Sequence, residues 1–308
     1  MPIKFSPLFF VCVFCTNLYS QVNFAPKIIN AVGSIKYVDS SILKSRRIVD
    51  THIGTGSLFF KTVNDSTGKV FLVTCLHVLP LSNQSKTIFF DIQKSVDDSL
   101  SFSTLVISLF DKNDKFNNNV RIDNDADLAV INVTDFFHLK ELEYLKKHLL
   151  PYNLLATKEI IKKEKISVGD EIYFIGYPSF FYDKRNYSPI VRAGIISTPP
   201  NSDFYFNDFL KDGYQNLFKN KLPDKFNGFL IDASTFGGSS GSLVFLKPQY
   251  YMIGDTELQN RKSFSPYILG IVDLSFLDLN PSMPQKINLG AVISSEYIKK
   301  TIDLFPIK

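Results

Sequence analysis

Cysteine is scarce in this chain. Of its 308 residues three are Cys, and Cys12 and Cys15 both fall in the first fifteen. Those early residues read as a separate unit. Lys4 gives a short positive start, residues 8–15 are an apolar stretch too short to cross a bilayer as a helix, and residues 16–20 form a polar exit. The pattern predicts a secretory signal peptide over residues 1–20, cleaved between Ser20 and Gln21. Neither early Cys follows the small residue a lipoprotein signal wants, so no stable membrane anchor is expected after cleavage. Cys75 would then stand alone in the exported chain, which could form no internal disulfide and must rest on its hydrophobic core.

Excess charge is also small. The formal net charge is +4, and falls to +3 with the loss of Lys4, too little to argue for nucleic-acid binding. No Gly-Lys-Ser/Thr follows the glycine-rich run near residue 240, which excludes a phosphate loop. No group of His, Cys and Asp has metal-ligand spacing, so neither a metal nor an organic cofactor is expected. Internal repeats and low-complexity linkers are missing. At 45% hydrophobic and 21% charged, the composition is that of an ordinary globular protein with ample length for a core.

Against those absences one run stands out: Thr235-Phe-Gly-Gly-Ser-Ser-Gly-Ser-Leu-Val-Phe245. A Ser between glycines enters an apolar strand through a tight turn, so a hydroxyl and several backbone N–H groups share a few residues. Acyl transfer needs that combination of nucleophile and oxyanion-binding donors. Ser240 is the candidate nucleophile, with Ser239 and Ser242 as the alternatives. A base must come from four histidines, at 52, 77, 138 and 148. His77 ends the β-branched and aromatic run 69–76, where a strand end can aim an imidazole into a cleft. His138 and His148 lie in a helical pattern and read as solvated. An orienting acid comes from the loop 123–127. Asp127 directly joins the strand-like 128–133, while Asp123 and Asp125 stand close by.

The glycines around Ser239 also satisfy the nucleophile-elbow pattern of α/β-hydrolases. Those enzymes place His after Ser in the chain and lead the elbow into a helix. All four His here precede Ser239, and residues 242–248 read as a strand ended by Pro.

Three segments together, Thr74-Cys-Leu-His77, Asp127-Leu-Ala-Val130 and Gly238-Ser-Ser240-Gly241, resemble the signature regions of trypsin-like serine proteases, in that family's order. Residues 54–59, 169–178 and 269–272 resemble neighbouring strands of bacterial, disulfide-free members, and the resemblance spans roughly residues 31 to 305. It implies an all-β fold of two six-stranded antiparallel β-barrels of the chymotrypsin type with a C-terminal helix, the first barrel over about 31–155 and the second over about 165–293. It implies His77 as base, Asp127 as orienting acid, and the N–H groups of Gly238 and Ser240 as the oxyanion hole. Ser234, Asp273 and Ser275 fall at substrate-pocket positions. A neutral Ser234 at the pocket base favours apolar or small side chains at the cleaved bond, with Asp232 nearby. Ser239 stands where animal zymogens carry the Asp that pairs with a newly cut N-terminus, so no such maturation is expected.

Short strand-like runs separated by polar or Gly/Pro turns recur at 57–62, 70–75, 87–91, 102–109, 128–133, 171–176, 191–197, 229–231, 242–245, 267–273 and 290–293. Helical spacing appears over 137–149 and over 294–305, the latter opening on an N-cap candidate. The chain ends soon afterwards, and no appended peptide-binding domain is expected. Residues 203–228 are an aromatic-rich insertion, expected to fold onto the second barrel rather than to form a flap. The function expected is an exported serine endopeptidase, periplasmic or secreted, acting on proteins or peptides. The competing functions are a catalytically silent scaffold that binds a partner and a serine esterase.

Overall fold

β-branched and aromatic residues fill short segments bounded by turns, and those segments pair into two separate sheets. The computed structural model describes residues 24–306 apart from 39–50, 65–66, 81–85, 97–98, 138–148, 184–186, 220, 248–249, 254–256, 261–265 and 280–284. The expected leader, most of the expected helix at 137–149, His138 and His148 lie outside the described residues.

Helix α1 (Phe24–Ala31) leads into the first sheet: β1 (Val32–Val38), β2 (Thr51–Thr62), β3 (Gly68–Cys75), β4 (Thr87–Val96), β5 (Ser99–Ser108), β6 (Val120–Asp123), β7 (Leu128–Asn132) and β8 (Leu150–Pro151). The order is β5-β4-β1-β2-β3-β7-β6, with β8 added to β2 beyond the end of β1. This sheet curls into a half-barrel. One face of it is packed with Ile35, Leu58, Leu72, Phe90, Ile107 and Ile131, each fully or almost fully buried. Burial of that kind stabilises by about 1.5–3 kcal/mol per side chain.

A linker with one short helix, α2 (Lys158–Lys163), capped by Thr157, leads to the second sheet. Its strands are β9 (Glu171–Gly176), β10 (Ile190–Ile196), β13 (Gly228–Asp232), β14 (Leu243–Leu246), β17 (Ile268–Leu277) and β18 (Lys286–Ser294). They close into a six-stranded barrel in the order β10-β13-β18-β17-β14-β9. Ile172, Phe174, Phe229, Ile231, Val244, Leu269 and Val292 fill its interior. Two small hairpins lie outside the barrel, β11 (Phe204–Tyr205) with β12 (Lys225–Phe226) and β15 (Tyr250–Ile253) with β16 (Glu257–Asn260).

The aromatic-rich insertion folds onto the second barrel as expected, with one element the spacing did not disclose. Between β11 and β12 runs helix α3 (Asp208–Phe218), opened by Asn207, whose side chain accepts from the Leu210 N–H at 2.9 Å. Tyr214 and Phe206 pack edgewise and tilted on Phe276 of β17, with ring centroids 6.1 and 5.8 Å away. Not all its aromatics are covered: Phe209 and Tyr205 stay exposed.

Helix α4 (Ser295–Asp303) closes the chain, and Ser294 caps it by accepting from the Glu296 N–H. It crosses back to the first sheet. Ile298 and Ile302 are buried, Phe305 lies 5.2 Å from the Phe71 ring, and Asp303 takes Lys61 at 2.6 Å and the Tyr152 hydroxyl.

Candidate active site

β3 ends at Cys75 and a single 3-10 turn, Leu76–Val78, lifts His77 into the cleft between the two sheets. The imidazole is partly exposed and faces Asp127. That carboxylate holds the same histidine twice: one oxygen accepts from the His77 backbone N–H at 3.1 Å, and the other meets ring nitrogen Nδ1. Asp127 can aim there because its φ of +50° turns the chain sharply out of the 123–126 loop before β7 begins. Aspartate tolerates that left-handed conformation better than most residues. Its carbonyl also accepts from the Leu76 N–H at 2.7 Å, so the turn carrying His77 and the residue Asp127 are tied at both backbone and side chain.

Ser240 lies across the cleft, on the turn that enters β14. The carbonyls of residues 237 to 240 are all engaged. Gly237 C=O accepts from the Ser179 N–H at 2.6 Å, Gly238 C=O from the Thr55 hydroxyl at 3.0 Å, and Ser240 C=O from the Thr55 N–H at 2.9 Å. With the carbonyls pinned outward, the N–H groups of Gly238 and Ser240 make no hydrogen bond among the described residues. Gly238 sits at φ +81°, and a Cβ there would lie 2.6 Å from the Tyr177 carbonyl. Ser239 is buried and bonds locally, its hydroxyl accepting from the Phe236 N–H and its own N–H donating to the Phe236 carbonyl. The Ser240 hydroxyl donates to the Asp273 carbonyl at 3.0 Å, and no hydrogen bond joins it to His77 in this resting arrangement.

A family model of the trypsin-like peptidase domain matches residues 54–254. The chain belongs to that family. Among solved structures, the thermostable serine protease AL20 from an extremophilic microorganism is 11% identical, with a TM-score of 0.42 over 91% of this chain and 98% of its own. The scabies mite inactivated protease paralogue S-I1 is 10% identical, with a TM-score of 0.41 over 90% of this chain and 95% of its own. No curated protein matches the chain.

Within this trypsin-like peptidase domain, the expected pocket positions separate. The Thr235 hydroxyl meets that of Ser275 at 2.6 Å, joining the 234–236 segment to β17, while Ser234 donates to Asn288 Oδ1 at 2.8 Å. Lys286 donates to the Thr235 carbonyl at 2.6 Å, and both Lys286 and Arg192 lie over the Phe236 ring. Asp273 does not join them. The register irregularity of β17 between Val272 and Ser275 breaks the alternation that would put Asp273 and Ser275 on one face, and the Asp273 carboxyl is buried beneath His77, 3.5 Å from Nδ1. Asp232 is exposed on β13.

Four groups of metal-ligating chemistry, Cys75, His77, Asp127 and Asp273, therefore meet within 4.8 Å of one another, although they come from three distant segments whose spacing shows nothing of it. None is assigned to a metal. Asp127 is committed to His77, and burial, then the charges of Asp273 and Asp127, push the Cys75 thiol up, so that it stays protonated and faces the Val272 carbonyl at 3.2 Å. Cys75 is thus a buried apolar filler, as expected.

Thr55 is the residue that sequence reasoning passed over. It lies on β2 of the first sheet. Its hydroxyl accepts from the Tyr177 N–H at 3.0 Å and donates to Gly238, while its carbonyl accepts from Thr74 at 2.7 Å. The only signal for it was its place in the Gly54-Thr-Gly-Ser run that resembled a family strand.

Proposed function

We propose that this peptidase-family chain is an exported serine endopeptidase that cleaves peptide bonds through Ser240, His77 and Asp127. The observation that carries the reading is the combination at the cleft: a histidine held at both ring and backbone by one aspartate, facing a serine whose neighbouring N–H groups are left unclaimed. The leader-like residues 1–20 carry the export part of the proposal.

The chemistry follows from those atoms. The Ser240 hydroxyl rotates off the Asp273 carbonyl toward the free imidazole nitrogen, since hydrogen bonds of an empty site tighten only in the complex. His77 takes the hydroxyl proton as the oxygen attacks the substrate carbonyl, and Asp127 stabilises the imidazolium. Negative charge develops on the carbonyl oxygen where the Gly238 and Ser240 N–H groups point, and each such donor contributes about 10²–10³ in rate. The imidazolium then protonates the leaving amine. Water, deprotonated by the same imidazole, releases the acyl group from Ser240.

An extended substrate has a place to lie. The backbone bonds of β17 to the segment entering β14 end at Val272, whose N–H donates to the Ser242 carbonyl and whose carbonyl accepts from the Gly241 N–H, both at 2.8 Å; beyond Asp273 the strand pairs with β18 alone. Leu277 at the far end is closed by Tyr214, whose hydroxyl accepts from its N–H at 2.5 Å. The open edge between supplies main-chain hydrogen bonds to a peptide in β-fashion. Beside the cleaved bond, the hydroxyl contact Thr235–Ser275 ties the 234–236 segment to β17, and two cations flank Phe236, surroundings that favour small or apolar side chains over Lys and Arg.

The test is hydrolysis of a peptide library by the protein and by Ser240→Ala, read by mass spectrometry. Cleavage by the first and not the second supports the reading. Turnover of small esters without peptide cleavage would make the protein an esterase, and turnover of neither would make it a silent scaffold.

A further inference from the structure

A second carboxyl lies against the histidine–aspartate pair, and the proposed mechanism has no use for it. Asp273 is buried, and its Oδ1 finds no hydrogen-bond partner among the described residues. That atom sits 3.5 Å from the ring nitrogen of His77 which Asp127 already engages. An ionised carboxylate there would be an unpaired buried charge beside another carboxylate, an arrangement that costs far more than a proton held between them.

We propose that Asp273 is a neutral carboxylic acid that donates its proton to Asp127, making it a positioning residue that fixes the carboxylate which in turn fixes His77. The inference rests on the proposed serine-peptidase reading only for its consequence in rate; the shared proton stands on the geometry. With Asp273 as donor, Asp127 receives three hydrogen bonds, from the His77 backbone, the His77 ring and the Asp273 hydroxyl, and its carboxylate cannot swing out of the imidazole plane.

The surroundings agree. From the turn after β3, Cys75 and His77 face Asp273, and the thiol is spent on the Val272 carbonyl. From the loop before β7 comes Asp127. The nucleophile turn offers only the Ser240 hydroxyl, which goes to the Asp273 main chain. Along the same cleft stand Asp123, Asp125, Lys225 and Tyr297, with Lys225 committed to Asp203 at 3.5 Å. Burial, then the charge of the neighbouring Asp127, push the Asp273 carboxyl well above the usual carboxylate range, and among the described residues no cation acts to bring it down. The geometry sets which of the two donates: the His77 backbone and ring face Asp127, while the Asp273 carboxyl is buried with its Oδ1 unpartnered among the described residues.

The experiment compares the full chain with Asp273→Asn, which keeps a donor, and Asp273→Ala, which does not. Infrared difference spectra between the wild type and Asp273→Asn at pH 7 read the protonation state directly, and the low-field ring-proton signal of His77 reads positioning. The result expected is a protonated-carboxyl band in the wild type that Asp273→Asn lacks. The low-field signal persists in Asp273→Asn and is lost in Asp273→Ala. Fluorophosphonate labelling slows about 10- to 100-fold in Asp273→Ala and less than about tenfold in Asp273→Asn. A carboxylate band in place of the acid band overturns the proposal, and so does an equal loss of signal in both variants. Acid band and low-field signal without any labelling of the wild type would uphold the shared proton while refuting the peptidase reading.

Discussion

The Thr55 N–H donates to the Ser240 carbonyl at 2.9 Å, so a strand of the first sheet holds the Ser240 turn of the second. The same residue's hydroxyl stands between the Tyr177 N–H and the Gly238 carbonyl. Thr55→Val keeps the shape and removes that hydroxyl, leaving a buried donor and a buried acceptor unpaired. The expected cost is about 1–3 kcal/mol in stability, read by urea unfolding, with slower labelling of Ser240. Thr55→Ser, which restores the oxygen, recovers most of both. Equal behaviour of the Val and Ser variants would show that Thr55 only fills space.

Gly238 is the position where backbone conformation matters most directly to the chemistry. At φ +81° with the Tyr177 carbonyl 2.6 Å from an added Cβ, Gly238→Ala must move the peptide whose N–H is the proposed oxyanion donor. Losing that donor predicts a fall of about 10²–10³ in kcat, measured on the best peptide of a library while circular dichroism confirms that the barrels remain.

Asp273 also predicts how stability varies with pH. Its carboxyl is raised in the folded chain by burial first and then by Asp127, while an unfolded Asp titrates near pH ~4. Above that pH the unfolded chain gives up a proton that the folded chain keeps, so this group lowers stability as pH rises toward its folded-state value. Asp273→Asn lacks the slope. Urea midpoints between pH 4.5 and 7.5 should therefore fall more for the wild type than for Asp273→Asn, and parallel lines would contradict the assignment.

Specificity is predicted from the tied pocket walls. Peptides with Ala, Ser or another small or apolar side chain at the cleaved bond should be hydrolysed faster than those with Arg or Lys, which would meet Lys286 and Arg192 beside Phe236. Thr235→Ala, which opens the hydroxyl bridge to Ser275, should widen the range toward larger apolar side chains. Ranking of kcat/KM across the library checks both points.

Much of this arrangement was legible in the residues. Runs such as 70–75, 128–133 and 171–176 became β3, β7 and β9 because β-branched and aromatic side chains fill both faces of strands buried in curled sheets. The Ser294 cap and terminal helix were readable from local chemistry. Strand β1 was not, since Val32-Gly-Ser-Ile-Lys-Tyr-Val38 mixes polar and small residues and owes its pairing to β2 and β4. Helix α3 was hidden by Gly213 and by aromatics that read as core without a period. At the site, the strand ends that carry His77 and Asp127 were readable, whereas the place of Asp273 beneath His77 was not. Sequence order cannot say which face of β17 a residue occupies once bulges shift its register after Val272. Nor can spacing reveal that Cys75, His77, Asp127 and Asp273 converge, because only the closing of two sheets against each other brings them together.

The measurement that bears most directly on the central claim is labelling with a fluorophosphonate probe, made on the wild type, Ser240→Ala and His77→Ala side by side. The account predicts stoichiometric labelling of the wild type at Ser240 and loss of labelling in both variants, since the hydroxyl becomes a nucleophile only when the imidazole takes its proton. Labelling that survives His77→Ala, or its absence from a folded wild-type protein, would contradict it.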